Sequence, residues 1–246
     1  MQRYFLKLAY NGAAYHGWQI QSNPATIQQV LEEAVSMLLK DAISLTGCGR
    51  TDAGVHARVY YAHFETDVVF DETLLIKKLN AFLCNDIVIY NCFKVPSDLN
   101  ARFSATFRTY HYYIATQKDP FRKEFVYPIY RDIDFDKMNE AAAILREYID
   151  FSSFAKSKTD TKTNNCIITK AVWEQTEEPH ICVFKITANR FLRNMVRAVV
   201  GTLLEVGYGN ITLERLREII ESKDRQQAGA SAPAQALFLY DIGYEM

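Results

Sequence analysis

The sequence predicts an α+β protein built from two ferredoxin-like, or RRM-like, halves with antiparallel sheets. In the first hundred residues, alternating apolar segments and segments of helical spacing follow one another in the order β-α-β-β-α-β, the order of a ferredoxin-like unit. Similar elements recur after residue 100 with longer parts. At 246 residues and 49% hydrophobic composition, the chain can bury a sizeable core. We therefore expect one domain over residues 1–100 and a second over residues 101–246.

Strands and helices of the first half are predicted from the spacing of apolar residues and from N-cap residues. Alternation predicts strands over residues 3–10, 42–46, 59–64 and 87–95. Thr26 is followed three residues later by Gln29, the spacing of a capping box. Asp71 has the position of an N-cap for a second helix.

The second half is predicted in the same way. Strands are expected over residues 107–115, 167–174, 181–188 and 236–244. Helices are expected over residues 136–148, 190–206 and 213–222, the last of them capped by Thr212. Antiparallel sheets follow from the predicted hairpin around Pro179.

Composition narrows the class of protein. The five cysteines are odd in number and contain no C-x-x-C pair, which argues against a disulfide framework and a zinc site. No apolar run approaches the roughly 20 residues that span a bilayer, and the N-terminus alternates as a strand where a signal peptide has an apolar block. We expect a reduced, cytoplasmic protein with no membrane association.

Charge is unevenly distributed along the chain, although the net charge is only −1. Residues 102–131 contain six Lys or Arg and two acids, residues 156–170 contain four and one, and residues 185–197 contain four and none. Segregation of this kind can create a basic face that binds phosphates. The alternative is a set of solvated surfaces that happen to be basic.

A glycine-rich loop over residues 47–57 is the most distinctive segment. Its three glycines, at 47, 49 and 54, permit backbone angles and close approaches that side chains forbid. Arg50, Thr51 and Asp52 lie among them, and His56 follows. Polar residues on a loop fixed between two strands are typical of a functional site. The simpler interpretation is a surface turn in which Asp52 bonds nearby backbone amides.

Two further segments carry candidate residues. In a helix from residue 190, Arg190, Arg193 and Arg197 would fall within about 60° of one another, opposite an apolar face, and phosphates or a loop aspartate could pair with them. A solvated cationic face is the alternative. In the strand from residue 107, Arg108 and Tyr110 share a face. Interleaved aromatics and cations suit RNA bases and phosphates, although tyrosines also pack well on half-buried sheets.

These segments together resemble one known family. The chain is similar to the tRNA pseudouridine synthase A family from about residue 4 to residue 244. The matching segments are Tyr10-Asn11-Gly12, Tyr15-His16-Gly17-Trp18-Gln19, Thr26-Ile27-Gln28, Gly49-Arg50-Thr51-Asp52-Ala53-Gly54-Val55-His56-Ala57, Ala101-Arg102-Phe103-Ser104-Ala105, Phe191-Leu192-Arg193-Asn194-Met195-Val196-Arg197 and Ala232-Pro233. The chain departs from the pattern at Val59-Tyr60, where the family usually has Gly-Gln.

The resemblance implies an activity, a fold and partners. It implies isomerisation of uridine to pseudouridine at positions 38–40 of the tRNA anticodon stem-loop. It also implies a pseudouridine synthase fold with the active-site cleft between the two halves. A homodimer that grips one tRNA across both subunits is expected, with no cofactor and no metal.

The resemblance also assigns roles to residues. Asp52 would be the catalytic carboxylate, which attacks C1′ or C6 or removes the C2′ proton; the sequence leaves these three open. Arg197 would pair with Asp52 and keep it ionised, and Tyr110 would lie against the uracil. Arg50 would help to displace the target base from its stack. The other expected substrate-binding residues are Thr51, His56, Arg108, Arg190 and Arg193.

Three other functions compete with this one. A cysteine nucleophile formed by Cys48 with His56 has hardly any flanking pattern in its favour. A metal site from His56 and His63 fails because strand residues seven apart face opposite sides. A non-catalytic tRNA-binding module is the serious alternative, and Asp52 separates the two, because a carboxylate aimed at a polyanion costs a pure binder affinity.

Overall fold

The computed structural model describes residues 1–156 and 163–245 of the chain. The chain divides into two compact units, one formed by residues 1–106 with 239–246 and the other by residues 107–238. This division differs from the predicted halves mainly in placing the C-terminal strand with the first unit. The reason is packing: the Tyr244 ring lies 5.4 Å from Phe5 and 5.2 Å from Tyr61, and its hydroxyl donates to the Ala101 carbonyl over 2.6 Å.

The sheet of the first unit is built around its first strand, which has an antiparallel neighbour on each side. Its elements in chain order are β1 (Gln2–Tyr10), α1 (Ile27–Leu39), β2 (Thr46–Gly47), β3 (His56–Thr66), α2 (Glu72–Phe82) and β4 (Ile87–Val95). β1 lies between β3 and β4 and pairs antiparallel with both. The short β2 pairs with β3, and the C-terminal strand lies beside β3 on the other side from β1.

Both helices of the first unit begin where their caps predict. The Thr26 side chain accepts a hydrogen bond from the amide of Gln29, and the Asp71 side chain accepts one from the amide of Leu74. Each cap satisfies a backbone donor that the first turn leaves without a partner. The apolar face of α1 is fully buried at Ile27 and Leu31.

The strand predicted over residues 42–46 is wrong over most of its length, because only Thr46 and Gly47 join the sheet. Ile43 and Leu45 are buried as their alternation indicates. Their backbone groups, however, bond to side chains of α1: the Leu45 amide donates to Glu32 over 2.7 Å, and the Leu45 carbonyl accepts from Gln28 over 2.9 Å. Residues 42–45 therefore bury Ile43 and Leu45 and bond to α1 without a partner strand.

The second unit contains an antiparallel group of strands covered by helices. Its elements in chain order are β5 (Ala105–Ala115), β6 (Tyr127–Pro128), α3 (Phe135–Ile144), β7 (Ile168–Gln175), β8 (Ile181–Ala188), α4 (Met195–Gly207), α5 (Leu213–Ser222) and β9 (Leu237–Tyr244), with β5 beginning in the first unit and β9 ending there. β8 pairs antiparallel with β5 and β7. The two-residue β6, which the pattern did not predict, pairs parallel with the end of β5. α3 packs on α4 and β7.

Two helix boundaries of this unit differ from the prediction. α3 begins at Phe135 with Asp134 as its cap, and after Ile144 it continues only as a single 3-10 turn. α4 begins at Met195, five residues after the predicted start at Arg190. Asn194 has φ = +65°, outside the helical region, and the carbonyl of Arg193 accepts from the amide of Lys156 over 3.1 Å. Residues 190–194 are therefore not helical, and Arg193 and Asn194 form a turn before Met195.

The predicted α+β class with mostly antiparallel strands is confirmed. The ferredoxin-like or RRM-like character of the halves and the cleft between them stay predictions. Across the described ranges, each helix is too short or too polar to cross a membrane.

Candidate active site

The loop that carries Asp52 connects β2 to β3 and is bonded on both flanks of the aspartate. Before it, the Thr51 hydroxyl lies 2.9 Å from the hydroxyl of Tyr10, and the Thr51 carbonyl accepts from the amide of Trp18 over 3.3 Å. After it, the amide of Gly54 donates to the Tyr15 carbonyl over 3.2 Å. These partners belong to β1 and to the segment that follows it, so the loop is fixed by chain remote in sequence.

Two glycines outside the loop allow this close approach. A Cβ on Gly12 would lie 2.0 Å from the carbonyl oxygen of Val55, and a Cβ on Gly17 would lie 2.3 Å from that of Thr51. Gly17 also has φ = +86°, a conformation that side chains strongly disfavour. By contrast, a Cβ on Gly49 would meet nothing within 4 Å. The steric requirement predicted for all three loop glycines is therefore absent at Gly49.

Asp52 is half-buried at the start of a tight turn. Its carbonyl accepts from the amide of Val55 over 3.1 Å, and the neighbouring Thr51 is 8% exposed whereas Arg50 is exposed. The Arg50 Nε atom donates to Gln19 over 3.3 Å. The structure thus presents one carboxylate and one cation from consecutive parts of a rigid loop.

His56 is a support of this loop. Its side chain is 1% exposed, and its Nδ1 atom accepts from the amide of Gly12 over 3.1 Å. Acceptance at Nδ1 places the ring proton of a neutral imidazole on Nε2. His56 and Thr51 therefore support the loop, and the substrate contacts expected of them from the sequence stay a prediction.

Tyr60, at the departure from the family pattern, also belongs to the loop's framework. Its ring is fully buried and stacks on Trp18 with 4.2 Å between centroids. Its hydroxyl donates to the carbonyl of Gly49 over 2.5 Å. A Cβ on Gly47 would lie 2.5 Å from Trp18 and 2.2 Å from the Tyr60 hydroxyl, so the two rings require glycine there.

In the second unit, the structure brings β5 together with the non-helical segment over residues 189–194. Arg108 donates from Nη1 to the carbonyl of Asn189 over 2.9 Å. The half-buried ring of Tyr110 meets Phe191 edge-on, with 5.1 Å between centroids. The candidate residues of β5 are thus in contact with the segment that leads into α4.

The predicted helical line of three arginines is wrong. Only Arg197 lies in α4, because the helix begins at Met195. Arg190 donates to the carbonyl of Thr163 over 3.4 Å, and Arg193 is exposed. The segment remains basic, but its guanidinium groups are not related by the helical repeat.

Arg197 is tied to a remote segment by two reciprocal bonds. Its Nε atom donates to the carbonyl of Ala232 over 2.7 Å, and its own carbonyl accepts from the amide of Ala232 over 2.9 Å. The side chain is half-buried. The guanidinium orientation is therefore fixed through the backbone of a residue 35 positions away.

Comparison with known proteins identifies the family. A family model described as tRNA pseudouridine synthase matches residues 148–245. The tRNA pseudouridine synthase A of Parabacteroides distasonis is 52% identical over 245 residues, which cover 99% of this chain and 96% of that protein. The proteins of the same name from Bacteroides thetaiotaomicron and Porphyromonas gingivalis are 52% and 51% identical, over 99% of this chain and 91% and 98% of theirs. The chain belongs to the tRNA pseudouridine synthase A family.

In this member of the family, the histidines and carboxylates that are candidate metal ligands have partners within the chain. His63, like His56, uses Nδ1 to accept a backbone amide, that of Ala101 over 3.1 Å. Asp119, Glu178 and His180 place ligand atoms within 4.8 Å of one another. Arg122 forms an ion pair with Glu178, and Asp119 accepts from His180 and from two backbone amides. The two carboxylates of this cluster already have partners within the chain.

Two buried histidines should make the stability of this family member fall in acid. Burial lowers the pKa of His63 and of His111 from 6.5 to about 4, with Arg3 and Lys185 contributing. The unfolded chain therefore binds more protons between these values, so stability decreases as pH falls from about 6.5 toward 4. Between about pH 7.5 and pH 5, we expect a loss of about 2 kcal/mol per histidine, measurable by urea unfolding.

A pair of asparagine variants tests this origin. His63→Asn keeps an acceptor for Ala101 but removes the titrating group, so its loss of stability between the two pH values should be smaller by about 2 kcal/mol. His16→Asn, at an exposed histidine, should leave the loss unchanged. Equal losses for both variants would contradict the assignment to His63.

Proposed function

We propose that this protein isomerises uridine to pseudouridine in tRNA, at positions 38–40 of the anticodon stem-loop. The observation that carries the proposal is the rigid loop around Asp52, bonded on both sides to β1 and the segment after it, in a chain that belongs to this family over its whole length. A carboxylate preorganised in this way costs little to bring into reacting geometry.

The reaction suits the residues of the site. The C1′–N1 bond breaks and a C1′–C5 bond forms, while N1 gains a proton and C5 loses one. Nothing is oxidised and no water is consumed. A carboxylate that assists departure of the base and a group that helps remove the C5 proton account for the chemistry.

We assign the carboxylate role to Asp52 and two supporting roles to residues of the second unit. Asp52 attacks C1′ or C6 or removes the C2′ proton, and these three mechanisms remain alternatives. Tyr110, whose ring is steadied by Phe191, lies against the uracil and assists loss of the C5 proton. Arg197, oriented by Ala232, is the cation that pairs with the reacting carboxylate.

Binding of tRNA is assigned to the basic residues. Arg50, exposed on the loop, acts on the target base as it leaves its stack. Arg108, Arg190 and Arg193 contact phosphates, which position the stem-loop and contribute no direct base reading. We also propose the homodimer, with one tRNA held by both subunits.

Tritium release tests the proposed function directly. Unmodified tRNA transcript that carries [5-³H]uridine at a single one of positions 38, 39 or 40 is mixed with the native protein and no added metal or cofactor. Formation of the C1′–C5 bond displaces the C5 hydrogen, so we expect tritium to reach water in proportion to the pseudouridine formed.

Two outcomes would count against the proposal. Binding of the transcript without release would favour the alternative, a non-catalytic tRNA-binding module. Release from a transcript labelled at a uridine elsewhere in the tRNA, with none from positions 38–40, would show that the reaction occurs at another site. A transcript that carries [5-³H]cytidine at the same position is the control and should release no label.

A further inference from the structure

Arg197 is oriented by a segment that has its own set of fixing contacts. Residues 228–233, which we name the strap, run between α5 and β9. Ala232 of the strap accepts from the Arg197 Nε atom over 2.7 Å and donates to the Arg197 carbonyl over 2.9 Å. Any displacement of the strap therefore moves the guanidinium.

The strap lies directly on the backbone of α4. A Cβ on Gly201 would lie 1.8 Å from the carbonyl oxygen of Ala230, so this approach requires glycine in the helix. At the next residue, the Thr202 hydroxyl, which is 1% exposed, accepts from the amide of Gly229 over 3.0 Å. The strap therefore packs directly against α4 at Gly201 and Thr202.

Arg225 and Asn194 hold the strap from its two sides. Arg225 donates from Nη1 to the carbonyls of Ala228 and Gly229, over 3.3 and 3.1 Å, and from Nη2 to the Ser231 hydroxyl over 2.9 Å. Asn194, at the start of α4, donates to the same hydroxyl over 2.6 Å. Ser231 is adjacent to Ala232, so this junction fixes the carbonyl that Arg197 uses.

The other side of Ala232 is fixed as well. The carbonyl of Pro233 accepts from the hydroxyl of Tyr112 over 3.0 Å. Tyr112 is fully buried, and burial raises the pKa of its hydroxyl, so it remains a donor. It lies on β5 two residues from Tyr110, on the same face of the strand.

We propose that Arg225 and Ser231 are positioning residues for the reaction, which act through the strap to orient the guanidinium of Arg197. Three donors of one arginine are used on the strap itself, and the planar fork of arginine is suited to holding several acceptors in fixed geometry. This inference rests on the proposed function and assigns no substrate contact to either residue.

The test measures kcat and KM for tritium release with Ser231→Ala, Arg225→Ala and Arg225→Lys. Misplacement of a reacting group by about 1 Å can cost about 100-fold in rate. We expect the kcat of Arg225→Ala to fall about tenfold to a hundredfold with KM for tRNA unchanged, and Arg225→Lys to recover part of the loss. Ser231→Ala, which deletes a single hydroxyl, should lower kcat in the same way and guards against a failure of Arg225→Ala to fold.

A control variant at another arginine and KM measured at several salt concentrations separate a positioning role from a phosphate contact. Arg215→Ala removes a nearby cation that bonds Glu218 and Gln227 and none of the strap, so its kcat should equal that of the native protein. A rise in KM for Arg225→Ala that becomes smaller as the salt concentration increases would reveal a lost phosphate contact and overturn the inference. Unchanged kcat in folded Arg225→Ala and Ser231→Ala would overturn it too.

Arg197→Lys and Asp52→Asn distinguish a failure of the strap inference from a failure of the proposed function. If both lower release while the Arg225 and Ser231 variants do not, only the strap inference fails. If neither lowers release, the proposed catalytic assignment itself fails. In the Arg197→Lys background, which lacks the Nε donor, adding Arg225→Ala should cause less than twofold further loss, because coupled residues are not additive.

Discussion

Asp52→Asn should reduce tritium release by about 1000-fold or more, while the protein keeps its fold and its affinity for tRNA. Asparagine has nearly the same shape as aspartate, so the half-buried turn at residue 52 can accommodate it. The amide cannot act as a nucleophile or as a base at this position, and loss of such a group typically costs about 100- to 10,000-fold. Loss of a negative charge beside a polyanion should keep or strengthen binding. The measurement is single-turnover release at saturating protein.

An exposed aspartate of the same unit provides the control. Asp98→Asn makes the same change of charge on the surface and should leave the rate within about twofold of the native value. Retention of more than a tenth of the native rate by Asp52→Asn, with pseudouridine as product, would remove Asp52 from the catalytic role. Full loss accompanied by loss of tRNA binding would indicate a folding defect.

Features set by neighbouring residues could be predicted from the sequence. The caps Thr26, Asp71 and Thr212 each accept a backbone amide as expected, because the cap and its partner are three residues apart. The strand over residues 87–95 has the predicted bounds, because Pro96, which lacks a backbone donor, follows it directly. In both cases the determining residues are close in sequence.

The wrong prediction of a strand over residues 42–46 has a different cause. Alternation correctly indicated which side chains are buried, at Ile43 and Leu45. It cannot show whether the backbone partners belong to a strand or to side chains, and here Gln28 and Glu32 of α1 supply them. The outcome depended on contacts between residues far apart in sequence.

Prediction of the candidate site is limited in the same way, by contacts between residues far apart in sequence. The sequence indicated which residue types are in the Asp52 loop, but the glycines that its close approach demands are Gly12 and Gly17, in another segment. Apolar spacing alone also predicts that α4 begins at Arg190, whereas the turn at Asn194 makes it begin at Met195. The role of Arg225 had no signal in the sequence, since all its partners lie in an irregular segment.

Gly12→Ala should lower kcat by about 100-fold, although residue 12 lies 40 positions before Asp52 in the sequence. The added Cβ would lie 2.0 Å from the carbonyl oxygen of Val55, in a region where both residues are buried. Backbone must therefore move by about 1 Å or more, and Val55 closes the turn that begins at Asp52. Displacement of this size costs about 100-fold when it reaches a reacting group, and overpacking should lower the free energy of unfolding by about 1–3 kcal/mol.

Gly49→Ala is the matched control, because it adds the same methyl group within the Asp52 loop itself. Its Cβ would meet nothing within 4 Å, and the residue does not have the positive φ that would strain alanine. Its kcat and unfolding free energy should stay near the native values.

Both variants are assayed by tritium release at saturating tRNA and well below the lower melting temperature. If Gly12→Ala is as active as Gly49→Ala, the loop adapts to a shift of its support, and its rigidity does not contribute to the rate. If Gly49→Ala is instead the inactive variant, the open side of the loop at Gly49 is where the substrate approaches, and steric room matters there more than fixed geometry.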